Sequence, residues 1–422
     1  MRILWINNIA IPKIAQSVGM PSVPVGGWMV KLADELSSKE GIELGIAFPY
    51  EKNVEGSVDC LQYYGFSINE AKVKIGDLGG QDVRMEEIIR KFSPDIVHIF
   101  GTEYLQSYVV AEVCKKMGIA HRVVISIQGL TSVYARHYYG HLGFKAVHGF
   151  TLRDLYKGNT YAERKQFAKS GTFEVEALKI SKHVIGRTDW DKACTEMINP
   201  AAEYHFNNEM LRDAFYQAPS WEFKNCEKHS IFLSQASSPI KGLHLALEAA
   251  LLLKKEYPDL KVYIAGKSYF QKKIWKLSFY EKYILKYIKE HHLEETVEFL
   301  GFLTEEEMCK RYLKSHVFVS ASSIENSPNS LCEAMILGVP VVSSLVGGVS
   351  NLMEHGKDGF YYQADAPYML AHYVKKIFDD ERIAEGFSEN SRRTAQERHC
   401  VEKIVTDLCG IYERISCEKV NG

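Results

Sequence analysis

The chain has 422 residues, enough for two or three domains, and its 46% hydrophobic and 25% charged residues exclude a disordered chain, a fibre and a single small binding module. A formal net charge of −2 argues against a protein whose main task is to wrap nucleic acid, so any polyanion site must be local. The nine cysteines form no CxxC pair and no His/Cys cluster at zinc spacing, and they read as scattered reduced thiols.

The N-terminus, Met1-Arg2-Ile3-Leu4-Trp5-Ile6, carries too short an apolar run for a signal peptide, and no stretch of about 18 apolar residues occurs. The expectation is a soluble, cytoplasmic protein, at most peripheral to a membrane. Short aliphatic runs then recur between helical patterns: Ile3–Ile6, Leu44–Ala47, Ile96–Ile99, Val123–Ile127 and Val184–Gly186. Runs apolar on both faces are the pattern of parallel strands covered by helices, so the fold class is α/β. The series pauses over 187–230, a polar and aromatic stretch, and resumes with Ile231–Ser234, Val262–Ala265, Val297–Leu300, Val317–Ser320 and Val339–Ser343. The pause predicts two doubly wound domains, whose ligands would sit beyond the carboxyl ends of the strands in a central cleft.

Helices are equally legible. After Lys241-Gly242, apolar residues fall at Leu243, Ala246, Leu247, Ala250 and Leu251, a helical stripe stopped by Lys254, Lys255 and Pro258. Thr304-Glu305-Glu306-Glu307 reads as a capping box. Ile404, Leu408, Ile411 and Tyr412 share one face of a terminal helix.

The segment Ser322–Val342 carries the most chemistry. A strand ends near Ser320, Ser327 and Pro328 read as N-cap and first helical residue, and Gly338-Val339-Pro340 stops the helix. The open amides of Asn329, Ser330 and Leu331 could cradle a diphosphate. Glu325 would stand in the loop above them, suited to a sugar ring, and Glu333 in the second turn, where a carboxylate suits a ribose diol. An isolated pair of glutamates eight apart is more often a solvated loop residue and a surface helix residue, so the context decides.

That context resembles the E-x7-E motif of retaining GT-B glycosyltransferases of family 4. Gly26-Gly27-Trp28 is similar to that family's glycine-rich turn, Pro94-Asp95-Ile96-Val97-His98-Ile99 to its "PDIVH" strand, Lys241-Gly242 to its "KG", and Gly347-Gly348 to its late glycine pair. The resemblance covers nearly the whole chain. It implies a GT-B architecture with an acceptor-side domain over 1–220, a nucleotide-sugar domain over 221–390, and a terminal helix over 391–422 crossing back to the first.

It also implies the roles. Lys241 binds the donor diphosphate, Glu333 the ribose, Glu325 the transferred sugar, and Gly26 and Gly27 line the phosphate end. Gln128 stands where many members have a histidine; it can bond a sugar hydroxyl but cannot carry a proton. Ala236 stands where the family usually has a phosphate-binding arginine, with Lys267 and Arg187 as candidate substitutes. The implied activity is retaining transfer from a nucleotide-diphosphate sugar to a sugar or lipid-linked glycan, in polysaccharide biosynthesis, with no metal and no cofactor. A sugar-nucleotide epimerase and a non-catalytic nucleotide-sugar-binding protein remain rivals on the same architecture.

Outside these motifs, Lys267–Lys289 interleaves seven lysines with aromatic residues. The pattern admits an anionic membrane, a nucleic acid, or plainly a solvated lysine face over a buried aromatic stripe. Tyr134, Arg136, His137, Tyr138, Tyr139 and Phe144 follow Gln128 and read as acceptor-side residues.

Overall fold

The computed structural model describes residues 1–20 and 27–418. In chain order the first eight strands are β1 (Arg2–Ile6), β2 (Glu43–Pro49), β3 (Glu55–Val58), β4 (Leu61–Phe66), β5 (Ile96–Phe100), β6 (Val123–Ser126), β7 (His183–Gly186) and β8 (Glu203–Phe206). They form one sheet in the order β3-β4-β2-β1-β5-β6-β7-β8. A second sheet holds β9 (Glu227–Leu233), β10 (Lys261–Ala265), β11 (Val297–Gly301), β12 (Ser315–Ser320), β13 (Val341–Ser344) and β14 (Phe360–Tyr362), ordered β11-β10-β9-β12-β13-β14. Every pairing is parallel except β3 with β4.

All ten expected strands are present. The pause over 187–230 is not strandless: it holds β8, an edge strand with polar Glu203 and His205, and a helix Asp189–Ile198 whose Thr188 and Asp191 form a capping box. Strands β3, β4 and β14 also lie outside the runs read from sequence; β3 is largely exposed and β14 has three residues, too short for a periodicity.

The residues divide by contacts into two units, the first comprising Met1–Val133, Ala168–Met210 and His399–Gly422, the second Tyr134–Phe167 and Leu211–Arg398. In the first, alternation along β1 sends Ile3 and Trp5 to one face and Leu4 and Ile6 to the other. Helix Gly27–Ser37 covers the first face with Met29, Leu32 and Leu36, and helix Val401–Cys417 joins it with Ile404, Leu408, Ile411 and Tyr412. Buried Trp5 Nε1 donates to Tyr412 Oη (3.1 Å), which meets His98 Nδ1 (2.5 Å), while His98 Nε2 meets Ser126 Oγ (2.7 Å). Burial pushes the His98 imidazole down to about 3, so this chain of bonds holds a neutral ring.

The second unit's boundaries differ from the sequence reading for definable reasons. Tyr134–Phe167 packs with it because Thr151 Oγ1 donates to Leu277 O (3.0 Å), Phe279 N to Asp154 Oδ2 (3.2 Å), and His244 Nε2 meets Gly140 O (2.5 Å). The tail read over 391–422 is two helices: Glu381–Arg398 stays in the second unit, where Arg392 Nη1 donates to Ile336 O (3.1 Å), and only the helix Val401–Cys417 belongs to the first.

Candidate functional site

The second unit's site is built by close backbone approaches. Gly242, at φ +68°, caps the helix Leu243–Leu253, and a Cβ there would stand 1.9 Å from Ala321 O. No side chain fits that gap, so glycine lets the turn Pro239–Lys241 lie against the chain leaving β12. Ser323 N donates to Ile240 O (2.8 Å) across the seam. Gly347 makes a similar approach from the other side: at φ +50°, its Cβ would meet Glu325 O at 1.8 Å, and Gly348 N donates to that oxygen (3.1 Å). Asn326 N is held by Tyr134 Oη (3.0 Å). Two glycine motifs therefore fix the loop bearing Glu325.

Within this frame Lys241 Nζ lies 2.6 Å from Glu325 Oε1. The carboxylate side chain is 10% exposed and the lysine 28%, so the lysine is the more open of the two. The helix that follows runs Asn329–Leu337, with Pro328 at the N-cap position and no side-chain cap. This corrects the reading of Ser327 as N-cap and Pro328 as first helical residue. Leu331 N and Cys332 N donate to Pro328 O (3.0 and 3.3 Å), so Leu331's amide is already engaged, and Asn329 and Ser330 precede the first intrahelical bond. Their two amides carry the helix's positive end.

Glu333 is not a surface residue; it is 5% exposed. Arg212 grips it bidentately, Nε to Oε1 at 2.7 Å and Nη2 to Oε2 at 2.8 Å, with the guanidinium over the Phe215 ring at 4.7 Å. Burial pushes the Glu333 carboxyl up and the guanidinium pulls it back; Arg212 itself is held above its ordinary range by the carboxylate, against its own burial. Sequence reasoning missed Arg212. It sits 121 residues from its partner and belongs to no local pattern. Ala236, where an arginine was expected, is buried and its carbonyl accepts from Tyr269 Oη (2.8 Å), while Lys267 is exposed on the surface.

The other site residues lie in the first unit. Gly27 opens the helix Gly27–Ser37, and Gly26 falls outside the described residues. Gln128, just past β6, donates through Nε2 to Glu209 Oε1. Arg187 pairs with Glu209 and donates through Nη2 to Ile127 O and Gln128 O, both at 3.1 Å. Arg187 is thus committed within its own unit. A small cavity of about 20 Å³ opens beside this cluster, lined by Trp28, His98, Arg187, Asn207, Glu209 and Leu408 among others, with room for about one water. Nearby, burial pushes the half-buried Glu103 carboxyl up to about 8.

The segment carrying Lys241, Glu325 and Glu333 coincides with a match to the family described as Glycosyl transferases group 1, over residues 218–394. Among curated proteins, the chain is 26% identical over 184 residues to the spore coat protein SA of Bacillus subtilis, covering 42% of this chain and 46% of that one. It is 33% identical over 148 residues to the amylovoran biosynthesis glycosyltransferase AmsK of Erwinia amylovora, covering 33% and 34%. The chain spans less than half the length of these relatives. Among solved structures, sucrose-phosphate synthase from Thermosynechococcus elongatus superposes with a TM-score of 0.70 at 14% identity over 98% of this chain and 99% of that one. HepE from Anabaena, in complex with UDP and glucose, gives 0.68 at 15% over 99% and 100%. At such identities the likeness is one of fold, and the fold is GT-B.

Proposed function

We propose that this protein is a retaining glycosyltransferase that moves a sugar from a nucleotide-diphosphate sugar to a glycan or lipid-linked glycan in polysaccharide biosynthesis. The observation that carries the reading is the Lys241–Glu325 pair, 2.6 Å apart with the lysine 28% exposed, Glu325 standing in the same loop-helix unit as the amides of Asn329 and Ser330 and the buried carboxylate of Glu333. A UDP-sugar is the favoured donor, because a neighbour of the same fold was solved with UDP and glucose.

In this reading the donor's diphosphate lies against Lys241 and the two helix amides, which stabilise the charge that grows on it as the glycosidic bond breaks. Glu333, oriented by Arg212, accepts from the ribose hydroxyls, and Glu325 accepts from hydroxyls of the sugar being transferred. The leaving diphosphate takes the proton of the incoming hydroxyl on the same face, which preserves the anomeric configuration and requires no protein nucleophile. No divalent cation is needed, because the ammonium and the helix amides meet the diphosphate's charge.

The test is incubation of the full chain with a panel of nucleotide sugars and glycan acceptors, with products resolved by mass spectrometry and anomeric NMR. Acceptor-dependent glycoside of retained configuration, formed in excess EDTA, is the expected result. An altered sugar nucleotide without acceptor, or binding without turnover, would replace this reading with an epimerase or a sensor.

A further inference from the structure

Exposed large apolar side chains are not scattered evenly over this protein. Half of those among the described residues fall in two segments of the second unit, Gly143–Gly158 and Lys267–Leu277. In the first, Phe144, Leu152 and Tyr156 are 78%, 71% and 90% exposed; in the second, Ile274 and Trp275 are 72% and 61% exposed. The two segments adjoin. Thr151 Oγ1 donates to Leu277 O, Phe279 N donates to Asp154 Oδ2, and Gly149 lies so close to Phe279 that a Cβ would meet the ring at 2.2 Å. Exposed apolar side chains gathered on two segments that hydrogen bonds hold together mark an interaction surface.

Its charge says what kind. The two segments hold seven lysines and arginines against one acid, Asp154, which is buried and already bonded to Thr151 and Arg153. Lys145, Lys157, Lys273 and Lys276 are exposed beside the apolar groups, and Lys273 Nζ stands 5.3 Å over the Trp275 ring. Aromatic and aliphatic tips interleaved with lysines match the boundary of an anionic bilayer, where rings enter the headgroup layer and ammonium groups meet lipid phosphates. Among the described residues no helix is long and apolar enough to cross a membrane, so contact through this surface is in-plane.

We propose that residues 143–158 and 267–277 form a docking surface for an anionic lipid bilayer. The inference goes beyond the transfer reaction and stands without it. It is tested by sedimentation of the full chain with vesicles of phosphatidylcholine alone or with a third of phosphatidylglycerol. Binding to the anionic vesicles, at least ten times tighter than to the neutral ones and weakened by salt, is expected. Tyr156→Ser with Trp275→Ser, and separately Lys273→Glu with Lys276→Glu, should each weaken it at least tenfold, while the thermal unfolding midpoint and circular dichroism stay as in the unaltered chain. Absence of vesicle binding, binding indifferent to both pairs of substitutions, preference for a single-stranded RNA homopolymer, or burial of the patch in a dimer seen by analytical ultracentrifugation would each overturn the proposal.

Discussion

The two units each gather a cation and a carboxylate past the ends of parallel strands, and they use the pair differently. In the first unit Arg187 is 5% exposed by side chain, pairs with Glu209, and spends Nη2 on two carbonyls. In the second, Lys241 carries a compact charge that is 28% exposed and meets only one oxygen of Glu325. The planar fork of arginine suits a closed structural joint, whereas a partly exposed lysine on a flexible stem can be shared with an arriving anion. Arg212 on Glu333 is a joint of the first kind placed inside the second unit's site. The difference teaches that a cation near a candidate site has to be read by what it has left over.

The comparison breaks most visibly at Arg212. Arg212→Ala leaves Glu333 buried without its counter-ion and should lower stability by about 3–5 kcal/mol, read by urea denaturation, with Glu333→Leu added to it restoring part of the loss. An unchanged midpoint would mean the bidentate joint does not hold the site.

Lys241→Ala and Glu333→Ala should each weaken nucleotide-sugar binding by about 1.5–3 kcal/mol in calorimetry, the range for a hydrogen bond to a charged group. Unchanged affinity in both variants would remove them from the donor site. Arg187 sharpens the contrast: its variants should lower stability before they lower nucleotide affinity.

In the first unit a gradual effect, spread over several pH units, comes from His98. The folded His98 titrates near 3 and an unfolded histidine near 6.5, so the unfolded chain binds more protons in that window. Stability is full above about pH 6.5 and falls toward pH 3 by about 1.4 kcal/mol per unit from this group. His98→Gln should flatten that part of a stability-against-pH curve; an unchanged slope would assign it elsewhere. The smallest shift is expected for Glu325→Gln, which should depress turnover at saturating donor while leaving affinity for free UDP within a few-fold. Loss of UDP binding with normal transfer would reverse the assignment.

What could be read in the sequence was what is local. The strands of both sheets' centres show as apolar runs because both faces are covered, Lys241-Gly242 and Gly347-Gly348 show because backbone contact demands glycine at Gly242 and Gly347, and the two glutamates show only through their spacing and its resemblance to a known motif. What could not be read is what depends on distant partners or on edges. Arg212 is defined only by a residue 121 positions away, and β8 is an edge strand whose polar residues hide its pairing with β7. Tyr134, Arg136, His137, Tyr138, Tyr139 and Phe144 read as acceptor-side residues of the first domain because nothing in their pattern reveals that Tyr134–Phe167 is tied to the second unit by bonds to Leu277 and Phe279.

The helix Val401–Cys417 carries a consequence for biogenesis. It shares one face of a sheet whose first strand is residues 2–6 with the helix Gly27–Ser37, so during translation the part of that face under Val401–Cys417 stays uncovered until those residues have left the ribosome. At about 5–20 residues per second, the wait is some tens of seconds. The second sheet, whose strands all precede residue 363, is complete earlier. The unit whose first strand is made earliest is therefore the one completed last, and a nascent chain stalled before Tyr412 would leave Trp5 without its hydrogen-bond partner after the strands of the second sheet have all been made.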